Sequence, residues 1–316
     1  MLTATTPYVG NSHYCYANAT SMLLASVGER ISPAVIEVLT GLALGAAWVA
    51  GPELIFFNSS APDIGVSRAL RLLGFAVDER ASADDDLPPL HDLRAALAEG
   101  SAILGPVDMG MLVYQPGKGR PNGVDHFIVA YGVEDAEVLV HDPAGYPSVS
   151  LLDADLAVAW RAELVGYRRG AYRWWTAPRR IATPTADELF ARAMREFGQV
   201  YRDAAAHSAR VTATGRAAID RLAGMVRTGD LPPALEGHLR GFALPVGARR
   251  ALDFSDFFRQ RAPALAALKQ EQARLFGRTQ TRLTRQDWTG AADALIALAD
   301  TEEQIRDLIV GDTPVG

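Results

Sequence analysis

Apolar and polar positions along the chain divide it into two halves of different character. Ala19, Met22 and Leu23 follow Cys15 at offsets of four, seven and eight, the spacing of one buried helix face ending near Gly28. Ser32-Pro33 pairs a capping side chain with proline at a first helical position, predicting a short helix through Leu39 that Gly41 stops. Residues 41–51 mix glycine with Leu42, Leu44 and Trp48 and read as a packed loop, with a strand at 54–57. A helical period over 64–73 stops at Gly74 and gives way to a β-like run at 75–77. Residues 90–99 read as an amphipathic helix and 102–104 as a buried strand leading to Asp108, after which a long loop begins. The apolar runs 127–132 and 138–141, joined across 133–137, predict a β-hairpin. A helix at 153–160 and an aromatic strand at 172–176 follow. From Pro184 onward the pattern is helical, over 186–197, 217–226, 254–275 and 288–309. Breaks fall at 229–233 and 244–247, and no fixed-period repeat is present.

These elements predict an α+β N-terminal domain over residues 1–180, with Pro178-Arg179-Arg180 as the boundary, and a helical domain over 181–316. With 316 residues and 49% hydrophobic content, the chain has room for two such domains. A formal net charge of -6 lacks the basic footprint of nucleic-acid binding. The longest apolar stretch, 41–57, is interrupted by Gly51, Pro52 and Glu53, so no membrane span is expected. One cysteine forms no internal disulfide, and residues 1–7 lack the basic-then-apolar pattern of a secretory signal, which points to the cytoplasm.

The lone cysteine carries the candidate chemistry. A thiol in the first turn of a helix meets unpaired backbone N–H groups and the positive end of the helix dipole, which favour the thiolate. Cysteine catalysis also needs an imidazole to handle the proton and a third group to orient that imidazole. In the predicted hairpin, Gly132 facing Ala136 sets His126 opposite Asp142 on one sheet face, and a slip of one residue breaks this. Each residue has a plain structural alternative: Cys15 as a small buried hydrophobe, His126 as a satisfied histidine at a strand entrance, Asp142 as a turn initiator before Pro143. The joint placement of Cys15, His126 and Asp142 favours a catalytic triad. Other candidates carry less. Gly117-Lys118-Gly119 lacks the glycine spacing and flanking elements of a nucleotide fingerprint. Asp84 to Asp86 read as solvated turn residues, and His13 finds no second cysteine or acidic cluster to complete a zinc set.

Several short motifs resemble the N-terminal domain of butirosin biosynthesis protein H and its relatives, a papain-like branch near the double-glycine leader peptidases. They are His13-Tyr14-Cys15, Gly41-Leu42 with Gly45, Val107-Asp108, Asp125-His126-Phe127-Ile128-Val129 leading into Gly132, and His141-Asp142-Pro143. Their shared order and spacing carry the resemblance, which covers about residues 7–178; the helical remainder is similar in kind to a C-terminal domain often attached in such proteins. The resemblance implies a papain-like fold, with the cysteine-bearing helix on an antiparallel sheet. It also implies acyl transfer from a carrier-protein thioester to a small-molecule amine through an acyl-cysteine, in specialised metabolism, without cofactor or metal. Papain-like enzymes commonly place a glutamine six positions before the cysteine as oxyanion donor, whereas this chain has Val9 there. Asn11 is the substitute oxyanion candidate, with a helix-capping or turn role as its structural alternative.

Two other functions fit the same residues. A cysteine peptidase, amidase or thioester hydrolase would use the identical triad with water as acceptor. A non-catalytic binding protein of papain-like shape would hold the three side chains apart.

Overall fold

The computed structural model describes residues 6–10, 13–204 and 210–311. The fold is α+β, and the chain forms two compact units: Met1–Ile36 with Pro62–Pro184, and Glu37–Ala61 with Thr185–Gly316. The expected division at 180/181 is therefore corrected in two ways. Residues 37–61 belong with the helical half, and the chain leaves the first unit at Pro184. Pro178-Arg179-Arg180 lie inside a strand, with Pro178 placed where the register against the neighbouring strand shifts, a position that tolerates proline.

In the first unit, α1 (Cys15–Ser26) is buried from Tyr16 to Leu24 rather than along one stripe. Its polar side chains are satisfied locally: Thr20 donates to the Tyr16 carbonyl at 2.7 Å and Ser21 to that of Ile31 at 2.7 Å. The helix α2 (Pro33–Thr40) spans the division after Ile36, and α3 (Pro62–Leu72) opens the chain's return to the first unit. The sheet is antiparallel throughout. In chain order its strands are β3 (Phe75–Ser82), β4 (Ala102–Asp108), β5 (Asp125–Glu134), β6 (Glu137–Asp142), β7 (Tyr146–Leu152) and β8 (Ala171–Arg180), arranged β3-β8-β4-β5-β6-β7. The strand β7 was not legible as one: its pattern is half exposed, and Pro147 and Ser148 mimic a turn. Pleat alternation splits the sheet's side chains between its two faces. Leu104, Ile128, Ala130, Val138 and Val140 join one core with α4 (Leu90–Glu99) and α5 (Asp153–Arg161). On β5 the alternate residue Phe127 meets Tyr16 of α1 edge-on, ring centroids 5.9 Å apart.

The second unit begins with β1 (Ala47–Val49) and β2 (Leu54–Phe56), paired antiparallel, and β9 (Val211–Thr214) completes the sheet beside β1. Residues 41–51 are thus partly strand, and this long-range pairing, absent from any local pattern, draws the segment into the helical half. Trp48, Ile55 and Phe57 enter one core with Leu222, Leu275 and Leu298. The helices are α6 (Ala186–Asp203), α7 (Gly215–Thr228), α8 (Pro233–His238), α9 (Leu244–Phe258), α10 (Pro263–Thr284) and α11 (Trp288–Gly311). A capping box opens α6, where Thr185 and Glu188 bond reciprocally. The expected break at 244–247 is absent, because a π-helical turn over Leu239–Ala243 runs straight into α9 and Pro245 occupies a first-turn position. The expected single helix over 254–275 is instead two, parted before Pro263.

Candidate active site

Cys15 is the first residue of α1 and is partly exposed. The turn before it is tight: Tyr14 has φ 60° and ψ 41°, in the left-handed region, where a non-glycine residue persists only if its surroundings hold it. Asn18 supplies that hold, its Nδ2 donating to the His13 carbonyl at 2.6 Å and the Tyr14 carbonyl at 3.0 Å. The Tyr14 side chain makes no capping bond to α1, and the first-turn N–H groups of a helix point toward its N-terminal end. The His13 carbonyl is part of this turn's bonding. Among the described residues no cluster of three or more metal-ligating side chains occurs.

His126 and Asp142 meet, although the hairpin register differs from the one expected. Val129 faces His141 and Ala130 faces Val140, while nearer the turn Gly132 faces Leu139, with a bulge between. Continuing the Val129–His141 pairing by one residue sets Asp142 beside Ile128, one pleat period from His126. The two side chains thus share a face and meet on the diagonal. His126 Nε2 lies 2.6 Å from Asp142 Oδ1, with His126 4% and Asp142 0% exposed. Because Nε2 is engaged by Asp142, Nδ1 is the ring nitrogen left free of the carboxylate, and Cys15 lies near enough to act on the His126 charge. The contact between Tyr16 and Phe127, the next residues of each chain segment, locks this approach.

Electrostatics follow from the burial. Desolvation disfavours the His126 cation, but the neighbouring Cys15 charge and the bonds to Asp142 and Cys15 outweigh it and push His126 up to about 10. Burial acts to raise Asp142, yet His126, the Ala144 N–H and Tyr114 hold it below the ordinary carboxylate value. All four partners of the carboxylate are accounted for. Oδ1 takes His126 and the Ala144 N–H (2.7 Å), and Oδ2 takes the Tyr114 hydroxyl (2.9 Å) and Gln115 Nε2 (2.7 Å). Burial and the Asp142 charge drive the Tyr114 phenol far above its ordinary value, so it remains a donor.

Tyr114 and Gln115, the Asp142 partners that the sequence does not announce, sit in what reads as a featureless loop. Asp108 organises that loop from its base: its carboxylate accepts from the N–H groups of Gly110 (2.9 Å) and Gly123 (3.0 Å), drawing both ends together. Gly119 and Arg120 N–H groups both bond the Gly110 carbonyl. A Cβ on Gly110 would lie 2.2 Å from the Arg120 carbonyl, so only glycine fits there. The Gly117-Lys118-Gly119 turn is neither preceded directly by a strand nor followed by a helix. A second clamp lies over β6. The Tyr8 hydroxyl donates to the Asp142 carbonyl at 3.1 Å, and His141 Nε2 meets the Thr6 carbonyl at 2.9 Å. Asn11, the expected oxyanion donor, lies outside the described residues.

Residues 209–310 match a family described as the YobF C-terminal domain. Over 299 residues the chain is 36% identical to "Uncharacterized protein YobF" of Bacillus subtilis (strain 168), an alignment spanning 95% of this chain and 96% of that protein.

Proposed function

The chain belongs to the YobF family, and we propose that it is a cysteine-dependent acyltransferase, moving an acyl group from a thioester to an amine through an acyl-Cys15 intermediate. The observation that carries this reading is the buried His126–Asp142 pair at 2.6 Å, its carboxylate fully bonded, with Cys15 at the start of α1 close enough to act on the His126 charge. In the first half-reaction the Cys15 sulfur attacks the thioester carbonyl, and His126 gives its proton to the departing thiolate. In the second, an amine attacks the acyl-enzyme, the new amide leaves, and His126 takes the amine proton, restoring the starting pair. Asp142 fixes the ring and stabilises its cation. Backbone N–H groups at the start of α1 are donors for the oxyanion, with Asn11 as a side-chain candidate. The thioester exchange is nearly thermoneutral for a thiolate, whereas an amide substrate requires protonation of a poor leaving group.

The resemblance of residues 7–178 to the butirosin protein H domain supports a carrier-protein donor, and a reactive sole thiol suits the cytoplasm. No helix among the described residues is long and apolar enough to cross a membrane. A hydrolase with the same triad is the competing reading. Incubation with a panel of acyl thioesters, with and without amines, separates them: transfer requires amide product in excess of free acid.

A further inference from the structure

Alternate residues of the N-terminal segment lie on consecutive residues at the end of β6 and just past it. His141 Nε2 meets the Thr6 carbonyl at 2.9 Å, and the Tyr8 hydroxyl donates to the Asp142 carbonyl at 3.1 Å. A Cβ on Gly10 would lie 2.1 Å from the Tyr8 hydroxyl and 2.7 Å from the Pro143 carbonyl, so the backbone passes there with no room for a side chain. Thr6 is also pinned through its side chain, Oγ1 lying 2.5 Å from Ser101 Oγ. Residues 6–10 thus form a strap over the strand end that carries Asp142.

The His141 ring holds this strap in one protonation state. The register between β6 and β7 shifts between Val140 and Asp142, and Ser148, with φ 54°, turns its N–H to His141 Nδ1 at 3.0 Å. A ring nitrogen that accepts carries no proton, so the proton of the neutral ring sits on Nε2 and is donated to Thr6. Tyr131 of β5 stacks on the buried ring, centroids 4.3 Å apart, and Tyr8 meets it edge-on at 5.6 Å. Those phenols are the titratable groups that face it. Ser148 of β7 and Val129 of β5 bring none, and the neighbouring Asp142 is turned to His126. Burial holds the ring below its ordinary value of 6.5, opposed by the Thr6 bond. The neutral bonds are therefore fully present above 6.5 and are lost as pH falls through the lowered value.

We propose that His141 is a positioning residue and the protonation-sensitive latch of the strap: the neutral ring holds residues 6–10 against Asp142, and the cation releases them. Protonation sets a second N–H against the one that Ser148 already points at Nδ1, so two donors face each other. Release removes the Tyr8 bond from the Asp142 backbone and loosens the adjoining register shift. Asp142 keeps its own carboxylate partners, so its hold on His126, and with it the reactivity of Cys15, falls by degrees in mild acid. The inference rests on the reading of Cys15, His126 and Asp142 as a triad, and not on the identity of the substrate.

Iodoacetamide alkylation of Cys15 in the full-length protein, read by intact mass from pH 5 to 7.5, tests the latch against His141→Gln. Glutamine offers an N–H to Thr6 and an oxygen to Ser148 but does not titrate. Both proteins share the triad, so the ratio of wild-type to variant rate isolates residue 141. That ratio should fall roughly fivefold between pH 7.5 and 5, the size of one net hydrogen bond; an unchanged ratio overturns the latch. His141→Phe, which keeps a ring on Tyr131, should be slow at pH 7.5, and a rate equal to wild type there overturns the positioning role. Nitrogen-15 NMR of the wild type needs no variant to fold: His141 should be the Nε2–H form with a midpoint below 6.5, and a midpoint at or above that value overturns the proposal. If Asp142→Asn leaves the wild-type alkylation rate unchanged, the triad reading falls, while the NMR titration still reports the latch.

Discussion

Gln115 Nε2 donates to Asp142 Oδ2 at 2.7 Å, and the Tyr114 hydroxyl bonds the same oxygen at 2.9 Å, so a loop outside the hairpin holds the group that orients His126. Replacing Gln115 with alanine leaves a buried charge short of a partner, a cost of about 1–3 kcal/mol. Urea unfolding should show that loss in Gln115→Ala. Tyr114→Phe, which removes only a hydroxyl, should lose a similar amount. Stability equal to wild type in both would mean that the carboxylate does not depend on the loop.

Reactivity of the sulfur reports the rest of the chain of contacts. At pH 7 His126, raised to about 10, is an imidazolium, and a cation beside a thiol favours the thiolate. Iodoacetamide should therefore alkylate Cys15 faster than it alkylates free glutathione at pH 7, read by intact mass. His126→Ala should slow the reaction on the order of tenfold, and Asp142→Asn should slow it as well through misorientation of the ring. A slow wild-type rate that neither substitution changes would favour a binding protein.

The same pair sets a pH dependence of stability. His126 has a folded value near 10 against 6.5 in the unfolded chain. Its contribution is complete below 6.5 and is lost as pH rises through 10. Asp142 lies below 3.8 in the fold, so its contribution is present above 3.8 and is lost as pH falls through the lowered value. Chemical denaturation of wild type and His126→Gln across pH 6 to 10.5 should show the wild-type advantage shrinking toward the alkaline end. An advantage that grows with pH would contradict the assignment.

In the second unit, Glu302 gathers three donors: the Gly45 N–H at 2.7 Å, the Tyr201 hydroxyl at 2.6 Å and Gln272 Nε2 at 2.6 Å. Gln272 in turn accepts from Lys269, which is 0% exposed and also donates to the Ala43 carbonyl. Glu302→Ala strands these donors, and a loss of roughly 3 kcal/mol or more is expected. Thermal unfolding followed by circular dichroism measures it, with a fall in melting temperature of several degrees as the predicted sign.

How much of this was readable from the residues depends on the range of the interaction. Local signals served well: the helix 90–99 matches α4 residue for residue, and the apolar runs around His126 and Asp142 are β5 and β6. Long-range pairing was invisible. Residues 47–49 form β1 between the nearby 54–56 and the distant 211–214, and no local pattern announces the second pairing. The polar residues of α1 looked like an exposed face, yet Asn18, Thr20 and Ser21 are buried because each bonds a nearby carbonyl. The expected register for His126 and Asp142 lies two residues from the observed one beside them, and a slip of two keeps side chains on the same face. Tyr114 and Gln115 carried no signal, since a loop's aim is set by Asp108 and its glycines rather than by periodicity.

The central claim is that Cys15 carries an acyl group between thioester and amine. Intact-mass analysis of the protein incubated with a panel of acyl thioesters tests it most directly, since the chain has one cysteine. The account predicts a single acyl adduct on the wild type, none on Cys15→Ala, and loss of the adduct with formation of an amide when an amine is added. Absence of any adduct across the panel, together with Cys15-dependent cleavage of peptides or amides, would contradict it.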